Sequence, residues 1–307
     1  MKSTQIQIIQ KDRYKTSLIL FETSNEVSLG SVLIIHGMAE HYVRYLDFIQ
    51  ALNKQGFDVY AYNHRGHGTD LKLSDLGFIA DKNGASLIVE DALTICNYIK
   101  ETARNKQLAI LGHSMGSLVL RCLLQEQDDF ACSIIASTTM PPVFVSTTGS
   151  IMANAVSLIQ GPAKKSKFLQ QLIFGGKAYT SLCTRTTYDW LTRNNTIVGK
   201  YMDDPFCGFT CTTSFYRDLI LLCKRSAIKR NIAKTRKDLP LLLLTGEKDP
   251  VSGYGSQVIA LQKIYNKLGF TNTSLTIYTE ARHELLNELN AEEVYQDIFN
   301  FLHAHLH

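Results

Sequence analysis

Six short apolar runs set the limits on what this chain can become: SVLIIHG (31–37), FDVYAY (57–62), LAILG (108–112), SIIAS (133–137), LPLLLLTG (239–246) and SLTIYTE (274–280). Runs of this texture are strands buried on both faces of a parallel sheet. Between them the period lengthens to that of a helix. Tyr45, Phe48, Ile49 and Leu52 share one face, Ile88, Ala92, Ile95 and Ile99 another, and Val294, Ile298, Phe301 and Leu302 a third, which Asn290 and Glu293 begin as a capping box. Two further segments, 4–9 and 17–21, alternate apolar with polar residues across KDRYK and read as strand, turn, strand. Strands alternating with helices predict a mostly parallel central sheet covered on both faces.

One interval breaks the rhythm. From SIIAS to LPLLLL the chain runs about 100 residues, whereas a crossover between parallel strands needs about a dozen. An insertion follows, taken as a helical cap over residues 141–225 between core segments 1–140 and 226–307. It opens on Pro141 and Pro142. Helical patterns follow at Ile151, Met152, Ala155, Val156 and Ile159, and at Phe168, Leu169, Leu172 and Ile173 after a cap at Ser166. The insertion holds ten Lys or Arg against four Asp and no Glu, a net +6 that leaves −2 for the rest. With Phe144, Met152, Phe168, Phe174, Phe206 and Phe209 in the same segment, it could meet anionic amphiphiles or a membrane surface transiently; packed aromatic residues under solvated helices are the other reading.

Composition narrows the remainder. A whole-chain charge of +4 on 307 residues argues against nucleic acid as a partner. Seven cysteines, an odd number without a CxxC pair, suit free thiols in a reducing compartment. The N-terminus lacks a secretory core and no stretch approaches the length needed to cross a bilayer, so a cytoplasmic protein is expected. The sequons at Asn194 and Asn272 carry no weight in that setting. Oligomeric state is not readable.

The chemistry gathers on GHSMG (112–116). A run of strand residues enters it and a helix leaves, so Ser114 sits on a tight, strained turn with its hydroxyl at the carboxyl edge of the sheet, beside the N–H groups of a helix start. A serine needs a base, and the base needs an acid to hold its tautomer. Asp249 follows the strand ending at Gly246, and His283 follows the next strand, so serine, acid and histidine arrive in that order, each after a separate strand. Glu247 is the rival acid but lies closer to the strand end. In IIHGMAEH the N–H of Met38 is the expected partner of the Met115 N–H in an oxyanion hole. His36 and His41 have no acidic or cysteine partner at metal spacing and are read as supports of this loop, as are His64, Arg65 and His67; no metal and no cofactor is expected.

On HGMAEH (36–41), NHRGHG (63–68), DLGFIADKNG (75–84), GHSMGS (112–117), DPFCGF (204–209), GEKDPV (246–251) and ARHELLNE (281–288), the chain resembles the α/β-hydrolase family over nearly its whole length. The similarity is to the monoacylglycerol lipase and bacterial lysophospholipase-like branch grouped with serine aminopeptidases. That resemblance implies an α/β-hydrolase fold with an inserted cap and hydrolysis of a single-acyl-chain lipid ester. It also implies catalytic roles for Ser114, Asp249 and His283 and oxyanion donation by Met38 and Met115. Serine aminopeptidase, thioesterase and acyltransferase chemistry use the same triad, and a ligand-binding receptor on the same fold is the alternative of another class.

Overall fold

The computed structural model describes residues 2–306. The first core segment holds β1 (Ser3–Ile9), β2 (Lys15–Phe21), β3 (Ser31–Ile35), α1 (Leu46–Lys54), β4 (Asp58–Tyr62), α2 (Gly84–Thr102), β5 (Leu108–His113), α3 (Met115–Leu123) and β6 (Cys132–Ala136). Six helices follow without a strand: α4 (Val143–Gln160), α5 (Lys167–Phe174), α6 (Lys177–Thr180), α7 (Asn195–Asp203), α8 (Thr213–Ala227) and α9 (Lys229–Ile232). The chain then returns as β7 (Leu241–Gly246), α10 (Ser256–Lys267), β8 (Thr273–Tyr278) and α11 (Ala291–His305).

The eight strands lie in the order β1-β2-β4-β3-β5-β6-β7-β8, parallel from β4 to β8, with the β1–β2 hairpin antiparallel at one edge. Side chains alternate between two apolar layers. Leu33, Ile110, Ile135 and Leu243 join α2, α3 and α10, while Val32, Leu111, Ile134 and Leu244 join α1 and α11. β3, β4, β5, β6 and β7 are buried on both faces, so their sequences are mostly apolar rather than alternating, whereas the edge strand β1 is largely exposed and alternates. Parallel pairing brings the carboxyl ends of β3, β5, β6, β7 and β8 to one edge, where the loops carrying Met38, Ser114, Asp249 and His283 converge.

Two sequence expectations need correction. Asn290 and Glu293 form no capping box: the Asn290 side chain caps no backbone N–H and instead donates to Glu293 Oε2 at 2.9 Å while accepting from Arg193 at 2.8 Å. An arginine from the distant insertion has taken the capping oxygen. Second, α4 does reach membrane-spanning length. Its 18 residues contain no charge, average 1.2 in hydropathy and are mostly outside the protein core. Scattered Ser, Thr and Asn break the apolar run, which is why it is inconspicuous in the sequence.

Candidate active site

The turn between β5 and α3 holds Ser114 at φ 53°, in the left-handed region that a serine rarely occupies. Such a conformation costs roughly 1–3 kcal/mol and persists only where surroundings fix it. Here they do: the Ser114 N–H donates to the Ala136 carbonyl at 3.1 Å, and Gly116 brings α3 so close to β3 that a Cβ there would lie 2.0 Å from the Ile35 carbonyl oxygen. The strain turns the hydroxyl out of the sheet edge and leaves the N–H of Met115, first residue of α3, without a helical acceptor.

The three residues expected to act together are brought within hydrogen-bonding reach. His283 Nδ1–H donates to Asp249 Oδ1 at 3.0 Å, and Ser114 Oγ–H donates to His283 Nε2 at 2.9 Å. The His283–Asp249 bond is buried, while Ser114 stands half-buried at the cavity. Asp249 has no exposed surface, and the Val251 N–H also binds its Oδ1 at 2.9 Å. Glu247 faces elsewhere: in the turn that follows Gly246 its carboxylate accepts from the Glu280 N–H at 3.0 Å. The main chain of His283 is pinned as well: its carbonyl accepts from Ser137 Oγ at 2.6 Å and from His113 Nε2 at 3.3 Å. Ser137 was not singled out from the sequence, since only the pairing of β5, β6 and β7 brings it beside a residue 146 positions away.

The loop after β3 is held from all sides. Gly37 N–H donates to Glu40 Oε1 at 2.6 Å and Ala39 N–H to His67 Nε2 at 3.1 Å, so the amides flanking Met38 are both occupied by the protein. A side chain at position 37 would clash, its Cβ lying 2.6 Å from Glu40 Oε1 and 3.2 Å from Ser114 Cβ. His36, His64 and His67 cluster beneath the loop; His64 packs edge to face on the other two and exchanges backbone hydrogen bonds with His36, while His67 Nδ1 bonds the Arg65 carbonyl. Burial drives all three pKa values down, to about 3 for His64 and about 4 for His67, so they are neutral supports. Arg65 stands farther off, clamping Asp12 and Asp91. His41 gains a partner that sequence spacing could not offer. Its Nε2–H donates to Asp204 Oδ2 at 2.8 Å, and with Cys207 the three ligand-type atoms lie within 4.8 Å of one another. The Gly208 N–H and Tyr201 hydroxyl also bind the Ala39 carbonyl, so the inserted helices help fix the loop.

Glu40, within HGMAEH, is a buried hub whose role depends on contacts the sequence does not display. It accepts from Gly37, from the Tyr45 hydroxyl at 2.8 Å and from Arg44 at 2.7 Å, and it meets His113 Nδ1 at 3.3 Å. Burial opposes charge on both Glu40 and His113, but their mutual attraction wins, lowering the carboxyl pKa and raising the imidazole pKa. Arg44 extends the network bidentately to Glu284, the residue after His283, at 2.7 and 2.6 Å.

Above this edge lies a cavity of about 810 Å³ that includes Met38, Ser114, Met115 and His283 in its wall. The rest is largely apolar, with Leu118, Val145, Met152, Ile173, Phe174 and Leu219 contributed mostly by the insertion.

A parallel sheet with a strained serine at a strand-to-helix turn, under an insertion after β6, defines an α/β-hydrolase fold. The chain belongs to the serine aminopeptidase S33 family, whose model matches residues 27–290. It is 25% identical to a monoacylglycerol lipase of Mycolicibacterium smegmatis over 90% of this chain and 89% of that one. A monoglyceride lipase of Rattus norvegicus is 27% identical over 84% of this chain and 76% of its own length. In structure, a thermostable carboxyl esterase from Bacillus coagulans, solved with glycerol, superposes with a TM-score of 0.90 at 22% identity, covering all of both chains.

Proposed function

We propose that the protein is a serine hydrolase that cleaves carboxylic esters of single-acyl-chain lipids, a monoacylglycerol or a lysophospholipid, through an acyl-enzyme. The observation that carries this reading is the hydrogen-bonded chain from Asp249 through His283 to Ser114 in the wall of a large apolar cavity. The relatives named as monoacylglycerol and monoglyceride lipases support the substrate class.

In this reading His283 Nε2 takes the proton as Ser114 Oγ attacks the ester carbonyl, and Asp249 holds Nδ1–H and balances the imidazolium. The N–H groups of Met38 and Met115 receive the oxyanion; losing one such donor typically costs on the order of 3 kcal/mol of barrier. His283 returns its proton to the departing alcohol, and a water activated by the same imidazole releases the acyl group from Ser114. Segment 141–225 acts as the lid and acyl-chain wall, over a core of 1–140 and 226–307.

An aminopeptidase would need a carboxylate free to hold a substrate's amine. Among the described residues the only carboxylates lining the cavity are Glu40 and Glu284, and Arg44 holds both. The outer face of the lid suits a lipid aggregate: Phe144, Leu158, Ile159 and Phe168 are 71, 78, 83 and 57% exposed, and Lys164, Lys165 and Lys167 lie between the last of them in sequence. The decisive assay compares monoacylglycerols and lysophospholipids with aminoacyl amides on purified protein, with Ser114→Ala as control. Ester turnover lost in the variant is expected; faster amide cleavage would overturn the reading.

A further inference from the structure

The chain has a single tryptophan, and it packs on the imidazole of His283. The ring centroids of Trp190 and His283 are 5.3 Å apart with planes inclined at 43°, and Phe174 and Tyr179 back the indole at 6.1 and 5.3 Å. The residues around Trp190 are sewn to the histidine loop. The Glu284 N–H donates to the Leu191 carbonyl at 2.7 Å, the Thr192 hydroxyl to the Asn287 carbonyl at 2.9 Å, and the Arg282 guanidinium to the carbonyls of Asp189 and Thr192. Glu288, with no exposed side-chain surface, closes the seam. It accepts from the N–H of Arg282 at 2.8 Å, of Arg193 at 3.1 Å and of Leu289 at 2.9 Å, and from Arg193 Nε at 2.9 Å.

We propose that residues 189–193 are a strap through which the lid orients the His283 ring, with Trp190 as a positioning residue and Glu288 as the clasp that holds the strap down. The proposal rests on His283 serving as the base. When His283 takes the serine proton, the imidazolium faces the indole π-cloud, which attracts a cation more strongly than a phenyl ring does. A lid lifted at this seam therefore loosens the base as well as opening the cavity.

The test uses the full chain with Trp190→Leu, Trp190→Phe and Glu288→Gln, assayed on p-nitrophenyl acetate, whose acyl group is too short to depend on the apolar wall. Trp190→Leu and Glu288→Gln should lower kcat about tenfold with KM nearly unchanged, and Trp190→Phe should recover most of the loss. An independent readout needs no turnover: at fixed pH the emission of Trp190 should change in His283→Gln, which alters the ring it packs on, and in Glu288→Gln, which frees the strap, and should stay as in the wild type in Ser114→Ala. The strap is overturned if Trp190 emission in folded Glu288→Gln matches the wild type. It is equally overturned if Trp190→Leu, folded, keeps wild-type kcat; should Glu288→Gln fail to fold, the two Trp190 variants decide. Persistent ester hydrolysis in Ser114→Ala would instead sink the hydrolase reading and leave the fluorescence result standing.

Discussion

Asp249 and Glu247 stand two positions apart on one loop, yet only Asp249 meets the imidazole. Asp249→Asn should therefore lower kcat by on the order of 10⁴-fold, as loss of the orienting acid does elsewhere, while Glu247→Gln stays near wild type in steady-state assays. Gly37→Ala is a second residue-scale test. Its Cβ would press on Glu40 and Ser114, moving the Met38 N–H, so kcat should fall by roughly 10²–10³-fold with far-ultraviolet circular dichroism unchanged. The order of serine, acid and histidine along the chain was enough to single out these three, because each follows a strand whose apolar run is conspicuous. Ser137 and Glu288 fall inside SIIAS and ARHELLNE, and Trp190 in no such stretch, but nothing in the sequence assigns a role to any of the three. Their importance comes from contacts bridging about 90 to 150 positions, and nothing local marks them.

At the scale of elements, α4 is inside out. Ser146, Ala153 and Ser157 are buried, with Thr213 of α8 bonding Ser157, while Phe144, Ile151, Leu158 and Ile159 face outward and Val145 and Met152 line the cavity. The period at Ile151, Met152, Ala155, Val156 and Ile159 marks a helix with an apolar stripe, of which Val156 packs toward the core and Ile151 and Ile159 toward solvent. Periodicity alone does not say which way a stripe faces, since the protein's own core and an external apolar surface favour the same uncharged face. The exposed stripe yields a prediction for co-sedimentation with vesicles containing anionic lipid. Leu158→Glu with Ile159→Glu should weaken binding at least tenfold without changing kcat on a short soluble ester; equal binding would remove the lid face from the account.

For the whole molecule, alternating strands and helices made the parallel sheet legible, whereas the order of β3 and β4 within it depends on packing that no single element records. Buried histidines give the assembled fold a characteristic pH dependence. Below the ordinary value of 6.5 the unfolded chain takes up protons that His36, His64 and His67 refuse in the native state, so stability falls on acidification. Each contributes a slope approaching about 1.4 kcal/mol per pH unit. His113 acts in the opposite sense: its raised native pKa gives stabilisation that is complete below 6.5 and is lost as pH climbs through the raised value. Urea midpoints should therefore peak near pH 6.5, with the alkaline decline reduced in His113→Gln; a midpoint unchanged between pH 5 and 6.5 would contradict the neutral histidine cluster. The central claim is that the assembled edge makes one serine nucleophilic. Intact and peptide mass spectrometry after exposure to a fluorophosphonate tests it directly. A single adduct on the peptide containing Ser114, absent in Ser114→Ala and slowed in His283→Gln, is the predicted result; no adduct, or one that survives in Ser114→Ala, would contradict it.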